Sequence, residues 1–152
     1  MLLSEDKLEK IYQHAVDDYP DECCGIVIAP PDNGDDGIVF HCTNIQNKMH
    51  EKDPDSYPRT AKTAYLMDPQ EQYKILREAD EKGMVLKVFY HSHIDVDAYF
   101  SETDRREALF DDEPTYPETA YLIVSVVDRQ VKNTRYYLWD DEKKEFLEHN
   151  IN

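Results

Sequence analysis

Residues 91–104 read HSHIDVDAYFSETD, and they hold two imidazoles and a carboxylate at a spacing that suits a divalent metal. On a β-strand, alternate side chains share a face, so His91 and His93 point the same way and Ser92 points opposite. Two imidazoles about 6–7 Å apart on one strand face can converge on a single ion. Zinc takes imidazole and carboxylate ligands, and a catalytic zinc site keeps three protein ligands and an open position. Asp104 supplies the third. With Ser101 as the N-cap of a helix, Asp104 falls at N3, and helical side chains lean back toward the N-terminus, so its carboxylate faces the preceding loop. The seven residues from Ile94 to Phe100 let the chain leave the strand, turn and return. Taken singly these signals are weak. A lone His-x-His at a strand end is more often no metal site, and Asp104 alone could be a carboxylate favoured by the helix dipole. The joint spacing is far more specific.

These residues need a strand, a loop and a helix start to hold them, and the flanking sequence predicts all three. MVLKVFYHSH (84–93) is a strand that turns from apolar to ionisable, IDVDAYF is a loop, and Ser101 opens a helix. Upstream, Ser4 caps a helix with Leu8, Ile11, Tyr12 and Ala15 on one face, ended by Tyr19-Pro20. CCGIVIA (23–29) and GIVFHC (37–42) form a hairpin across a Pro/Asn/Gly turn. Residues 43–60 form the longest loop, and AYLM (64–67) forms a short strand. Asp68, Pro69 and Glu71 open a helix with a capping-box-like start, and Gly83 lies just past its end. TAYLIVSVV (119–127) pairs with NTRYYLW (133–139), and the polar tail could add an edge strand or a helical turn. This order predicts an α/β fold, a mixed sheet flanked by helices, as one domain over residues 1–152.

Bulk properties restrict the function classes. A formal charge of −16 in 152 residues argues against nucleic acid as a partner, because binding phosphates needs Lys and Arg to release counterions. No apolar run approaches the ~20 residues that span a bilayer, so no membrane association is expected. The N-terminus MLLSEDKLEK lacks a basic region followed by an apolar one, and the chain reads as cytoplasmic. Three cysteines, Cys23, Cys24 and Cys42, are too few for a disulfide framework and read as reduced core thiols.

The pattern resembles the JAMM (MPN-positive) metalloprotease family, whose signature is an upstream Glu, then His-x-His, seven residues and Ser-x-x-Asp. Glu22 in DECCG, His91, His93, Ser101 and Asp104 match it, and the helix–strand order matches over almost the whole chain. One position departs: many members have Pro after the second His, where this chain has Ile94. The resemblance implies a cytidine-deaminase-like α/β fold, and zinc (Zn2+) on His91, His93 and Asp104. It further implies Glu22 as general base and Ser101 as a hydrogen-bond donor to the tetrahedral oxyanion. YLMDPQEQ, YHSHIDVDAYFSETD and PTYPETAYLIVSVVD look most like small single-domain bacterial members. These are similar to peptidases that cut after the C-terminal Gly-Gly of ubiquitin-like or sulfur-carrier proteins. The alternatives are a non-catalytic MPN-type interaction scaffold and a zinc hydrolase of a different small amide. Scaffold relatives lose the metal ligands, and this chain keeps them.

Other residues carry less. Without the motif, Glu22 would read as a surface residue. Asp95 and Asp97 read as a solvated loop, with steering of a basic substrate as the alternative. Tyr99-Phe100 either line a groove or pack the loop down. His14, His41, His50 and His149 show no partnering pattern. The residue or peptide released, and the oligomeric state, are not written in the sequence.

Overall fold

The computed structural model describes residues 2–151. Helix α1 (Glu5–Asp18) leads into the hairpin of β1 (Cys24–Ala29) and β2 (Ile38–Cys42). Helices α2 (Gln46–Lys52) and α3 (Pro69–Glu81) follow, and then strand β3 (Val85–Ile94). After a loop come α4 (Glu102–Ala108) and a small hairpin of β4 (Leu109–Phe110) and β5 (Glu113–Pro114). Strands β6 (Ala120–Val127), β7 (Gln130–Asp140) and β8 (Glu145–Asn150) complete the chain.

Six strands form one mixed sheet in the order β2-β1-β3-β6-β7-β8. Among the described residues only β3 and β6 run parallel. A parallel pair needs a crossover connection, and here the crossover contains α4. The sheet is covered on both faces, which explains why β1 reads CGIVIA and is buried throughout. Alternation divides its side chains: Val27 joins Leu8, Ile11 and Ala15 of α1, while Ile26 and Ile28 join Ile75 and Ala79 of α3. A third cluster, Ala98, Ala108, Tyr121, Ile123 and Tyr137, seats the crossover on the sheet. Gly25 is required by packing: a Cβ there would stand 2.2 Å from Cζ of Tyr90.

The expected elements are present with four differences. Ser4 occupies the N-cap of α1, but its hydroxyl donates to the Asp6 carboxylate at 2.6 Å and caps no backbone N–H. The span 43–60 is not all loop, because α2 lies within it; that helix buries only Gln46, so no apolar stripe announces it. Residues 64–67 form no strand, and a single bridge pairs Met67 with Asn44. At α3 the Asp68 carboxylate caps Gln70 N, as expected, but Glu71 turns away to accept from Thr43 N and Oγ1, both at 3.1 Å. The tail resolves as the edge strand β8.

Candidate active site

Strand β3 runs between β1 and β6, with His91 opposite Cys24 on one side and Ile123 on the other. Ser92, facing away from the histidines, accepts from Cys23 N at 2.8 Å, and its own N–H donates to the Cys23 carbonyl at 3.1 Å. That exchange fixes the chain one residue after Glu22. Two more bonds hold Glu22 itself: its N–H donates to Ala61 O at 2.7 Å, and its carbonyl accepts from Asn44 Nδ2 at 2.8 Å.

Beyond β3 the chain turns at Asp95, which has φ 56°. Asx side chains tolerate this left-handed region, and Asp95 is secured there: its N–H donates to Val126 O at 2.8 Å, and Tyr19 OH donates to its carboxylate at 3.0 Å. The crossover then starts α4 with a full capping box. Asp104 N donates to Ser101 Oγ and Ser101 N donates to Asp104 Oδ2, each at 3.0 Å. This box brings the Asp104 carboxylate back to β3.

Three side chains from two elements, β3 and α4, thereby converge. His91 Nε2 lies 3.3 Å from His93 Nε2 and 3.3 Å from Asp104 Oδ1, and His93 Nε2 lies 3.4 Å from Asp104 Oδ2. Ligand atoms bound tetrahedrally to zinc at ~2.0–2.1 Å stand about 3.3 Å apart. The three groups therefore already have the edge lengths of a metal tetrahedron, and they could hold a metal ion. Each is less than a tenth exposed. The second nitrogen of His93, Nδ1, lies 3.0 Å from the Asp97 carbonyl. A carbonyl can only accept, so Nδ1 carries the proton and Nε2 presents its lone pair to the cluster.

The local field favours a cation. Burial works against ionisation of Asp104, but the charge and hydrogen bonds of His91, and then His93, outweigh it and hold the carboxyl far below its usual range. Burial also opposes a charged His93, yet Asp104 and Glu22 raise its pKa. Glu22 is pushed up to about 8, chiefly by burial, with His93 opposing and Asp104 adding to the rise. A buried carboxyl tuned toward neutral pH in a cleft is suited to proton transfer.

Above the cluster opens a cavity of about 420 Å³. One wall is the 56–66 segment and the other the crossover from Ile94 to Glu107; Glu22, His93, Ser101 and Asp104 line it. Tyr65 stacks on His91 at 4.5 Å between ring centres, and Tyr99 meets His93 edge-on at 4.9 Å. Arg59 spans the walls, donating to Thr63 O at 3.1 Å and to Thr103 Oγ1 at 3.2 Å. Among the described residues no acceptor engages the hydroxyl proton of Ser101.

All five site residues expected from the sequence thus meet here, four on the cavity and His91 beneath it. Sequence reasoning did not find Asn44 and Arg59, which lie in the 43–60 span read as a loop, or Tyr65, which lies in the AYLM stretch read as a strand. Asp97 is exposed, as expected of a solvated loop, but not free: its carboxylate accepts from Asn133 and from Arg135. Tyr99 is half exposed on the cavity, whereas Phe100 packs on Tyr121, Tyr137 and Phe146, so the pair divides the two roles. His14 is buried with Nδ1 2.8 Å from Tyr90 OH, and it stacks on His41. The three cysteines are free and buried; burial lifts Cys23 and Cys42 to about 12, which makes them inert core thiols. Among the described residues no helix is long and apolar enough to cross a membrane.

The chain is similar to several known proteins. A family described as prokaryotic homologs of the JAB domain matches residues 4–139. The CysO-cysteine peptidase of Mycobacterium tuberculosis is 31% identical over 137 residues, covering 90% of this chain and 81% of that protein. A desampylase from Haloferax volcanii is 32% identical over 127 residues, covering 81% of this chain and 78% of its own. Among solved structures, one from Desulfitobacterium hafniense superposes with TM-score 0.68 at 22% identity, covering 97% of this chain and 88% of that one. Another, from Salinibacter ruber, gives TM-score 0.65 at 26% identity, covering 99% and 90%.

Proposed function

Because the chain belongs to the prokaryotic JAB-domain family and is a hydrolase of that family, we propose that it is a zinc-dependent peptidase or isopeptidase. Its substrate on this reading is the amide bond after the C-terminal Gly-Gly of a ubiquitin-like or sulfur-carrier protein. The observation that carries the reading is the cluster of His91, His93 and Asp104, with edges of 3.3–3.4 Å, beside the buried Glu22. The relatives' peptidase and desampylase activities point to this substrate class and set the scaffold alternative aside.

His91 and His93 through Nε2, and Asp104 through its carboxylate, would hold the ion. Zinc supplies Lewis-acid chemistry there, acidifying water and polarising a carbonyl oxygen. Glu22 takes the proton of the attacking water and returns it to the leaving amine, a task for which burial has moved its pKa toward neutrality. Ser101, anchored as an N-cap, donates a hydrogen bond from its hydroxyl to the oxyanion; such a donor contributes ~3–4 kcal/mol to the transition state. Tyr65, stacked on His91, and Tyr99, edge-on to His93, steady the two imidazole rings. A Gly-Gly tail has no side chains, so it fits a narrow cleft between the 56–66 wall and the crossover.

The test is mass spectrometry of Gly-Gly carriers bearing C-terminal extensions, before and after incubation with the zinc-loaded protein. Loss of the extension directly after Gly-Gly is the expected result. Intact carriers across the set would overturn the proposal.

A further inference from the structure

An amide after a carrier's terminal glycine can have two kinds of leaving group, and they differ in charge close to the cut. When the released amine is the α-amine of a C-terminal residue, a carboxylate carbon follows about 2.5 Å from the scissile nitrogen. When it is a lysine ε-amine on a second protein, methylenes and neutral main chain occupy that region. A site that selects the first kind needs a fixed cation near the reacting centre.

The cleft holds one. Arg59 lines it, and two of its N–H groups are tied to opposite walls, to Thr63 O and Thr103 Oγ1. A guanidinium has five donors, so the rest of the fork is available to a ligand. Among the described residues no carboxylate forms an ion pair with it, although Glu107 lines the same cleft. Arg59 lines the same cavity as Glu22, His93 and Ser101. Lys62 lines the same wall. In a chain of net charge −16, two cations on one short cleft wall go against the general acidity. A pre-positioned guanidinium suits a planar carboxylate, which it binds through paired hydrogen bonds.

Resting on the proposed function, we infer that Arg59 is a specificity residue that binds the α-carboxylate of the residue released. The enzyme would therefore remove C-terminal extensions of one residue in preference to cutting isopeptides. A purely structural role, tying the 56–66 wall to α4, predicts a different result, because it would affect all substrates alike.

The experiment uses one Gly-Gly carrier protein extended by a single Ala, prepared as the free acid and as the carboxamide. Wild-type protein should cut the acid with kcat/KM ~10-fold or more above the amide, mostly through KM, as befits a charge-assisted hydrogen bond. Arg59→Gln should bring that ratio to about one, and Arg59→Lys should leave an intermediate ratio. Binding of both carriers to the Glu22→Gln protein, followed by fluorescence anisotropy, should show the same preference without turnover. Equal cleavage of acid and amide by the wild type, or an Arg59→Gln variant that keeps the ratio, overturns the assignment and leaves the proposed function standing. Cleavage of neither carrier by the wild type overturns the proposed function, and the Arg59 assignment with it.

Discussion

His93 is oriented by Asp97: Nδ1 of the ring donates to the Asp97 carbonyl at 3.0 Å, and the Asp97 carboxylate is held by Asn133 and, at 3.1 Å, by Arg135. The imidazole is thus linked through one residue to β7, two strands away from its own. Partners of this kind fix the tautomer and direction of a metal-binding ring.

Asp97→Ala should therefore weaken zinc binding by ~10–100-fold while changing the stability of the metal-free protein little, since the Asp97–Arg135 pair is exposed and such pairs contribute ~0–1 kcal/mol. Competition with a chelator of known affinity measures the first, and thermal unfolding of the stripped protein the second. An unchanged zinc affinity would show that the carboxylate has no part in holding the ring.

Purified protein should carry about one zinc per chain, and His91→Ala or His93→Ala should remove most of it. Because an ion bound only by the folded state stabilises it by mass action, chelation should lower the unfolding temperature of the wild type. The same treatment should do nothing to either variant. Equal metal content in all three proteins would disprove the ligand set.

Glu22→Gln should retain zinc and lose at least ~100-fold in turnover, the lower range for a general base. The metal-free protein adds a pH signature. Burial raises the Glu22 pKa from 4.5 to about 8, so between those values the folded state binds a proton that the unfolded state has released. Stability therefore falls as pH rises through this window. Glu22→Gln, which cannot ionise, should lack that component, and its stability relative to wild type should improve from pH 4.5 to about 8. Parallel denaturation profiles would contradict the burial argument.

Ser101→Ala should lose ~1 kcal/mol as a missing N-cap, lowering the unfolding midpoint by several degrees. Zinc should remain, because the Ser101 backbone N–H that holds Asp104 is still there. Turnover should drop ~100–1000-fold, with the Michaelis constant less affected. Ser101→Asp keeps a capping acceptor but sets a negative charge where the oxyanion forms, so it should be stable and inactive. An active Ser101→Asp protein would reduce the residue to a cap.

What the sequence made legible follows a physical divide. His91, His93, Ser101 and Asp104 lie within fourteen residues, and the periods of strand and helix are enough to bring them together. The hairpin of β1 and β2, the helix α3 and the pair β6–β7 carry strong apolar or capping patterns of the same local kind. Glu22 was found only through resemblance to a family, because its place depends on Ser92, Ala61 and Asn44, which are distant in the chain. Arg59, Tyr65 and Asp97 act through non-local contacts that no spacing encodes. Helix α2 was hidden because it is polar on almost every side. AYLM was misread because its apolar character serves the cleft wall, where Tyr65 stacks on His91, and not a sheet.

The double engagement of Asp104 has a consequence at the level of the codon. Its carboxylate both closes the capping box of α4 and completes the histidine cluster. Aspartate and asparagine differ by a single purine transition, and an asparagine at 104 could still accept from the Ser101 N–H. Its amide N–H could also donate to the imidazoles, filling with a hydrogen bond the place a cation would take. The crossover would keep its start and the sheet its cover, while the metal would lose its only anionic ligand. On the proposed metal role of Asp104, enzyme and inert fold would be separated by one nucleotide, with little structural change to mark the difference.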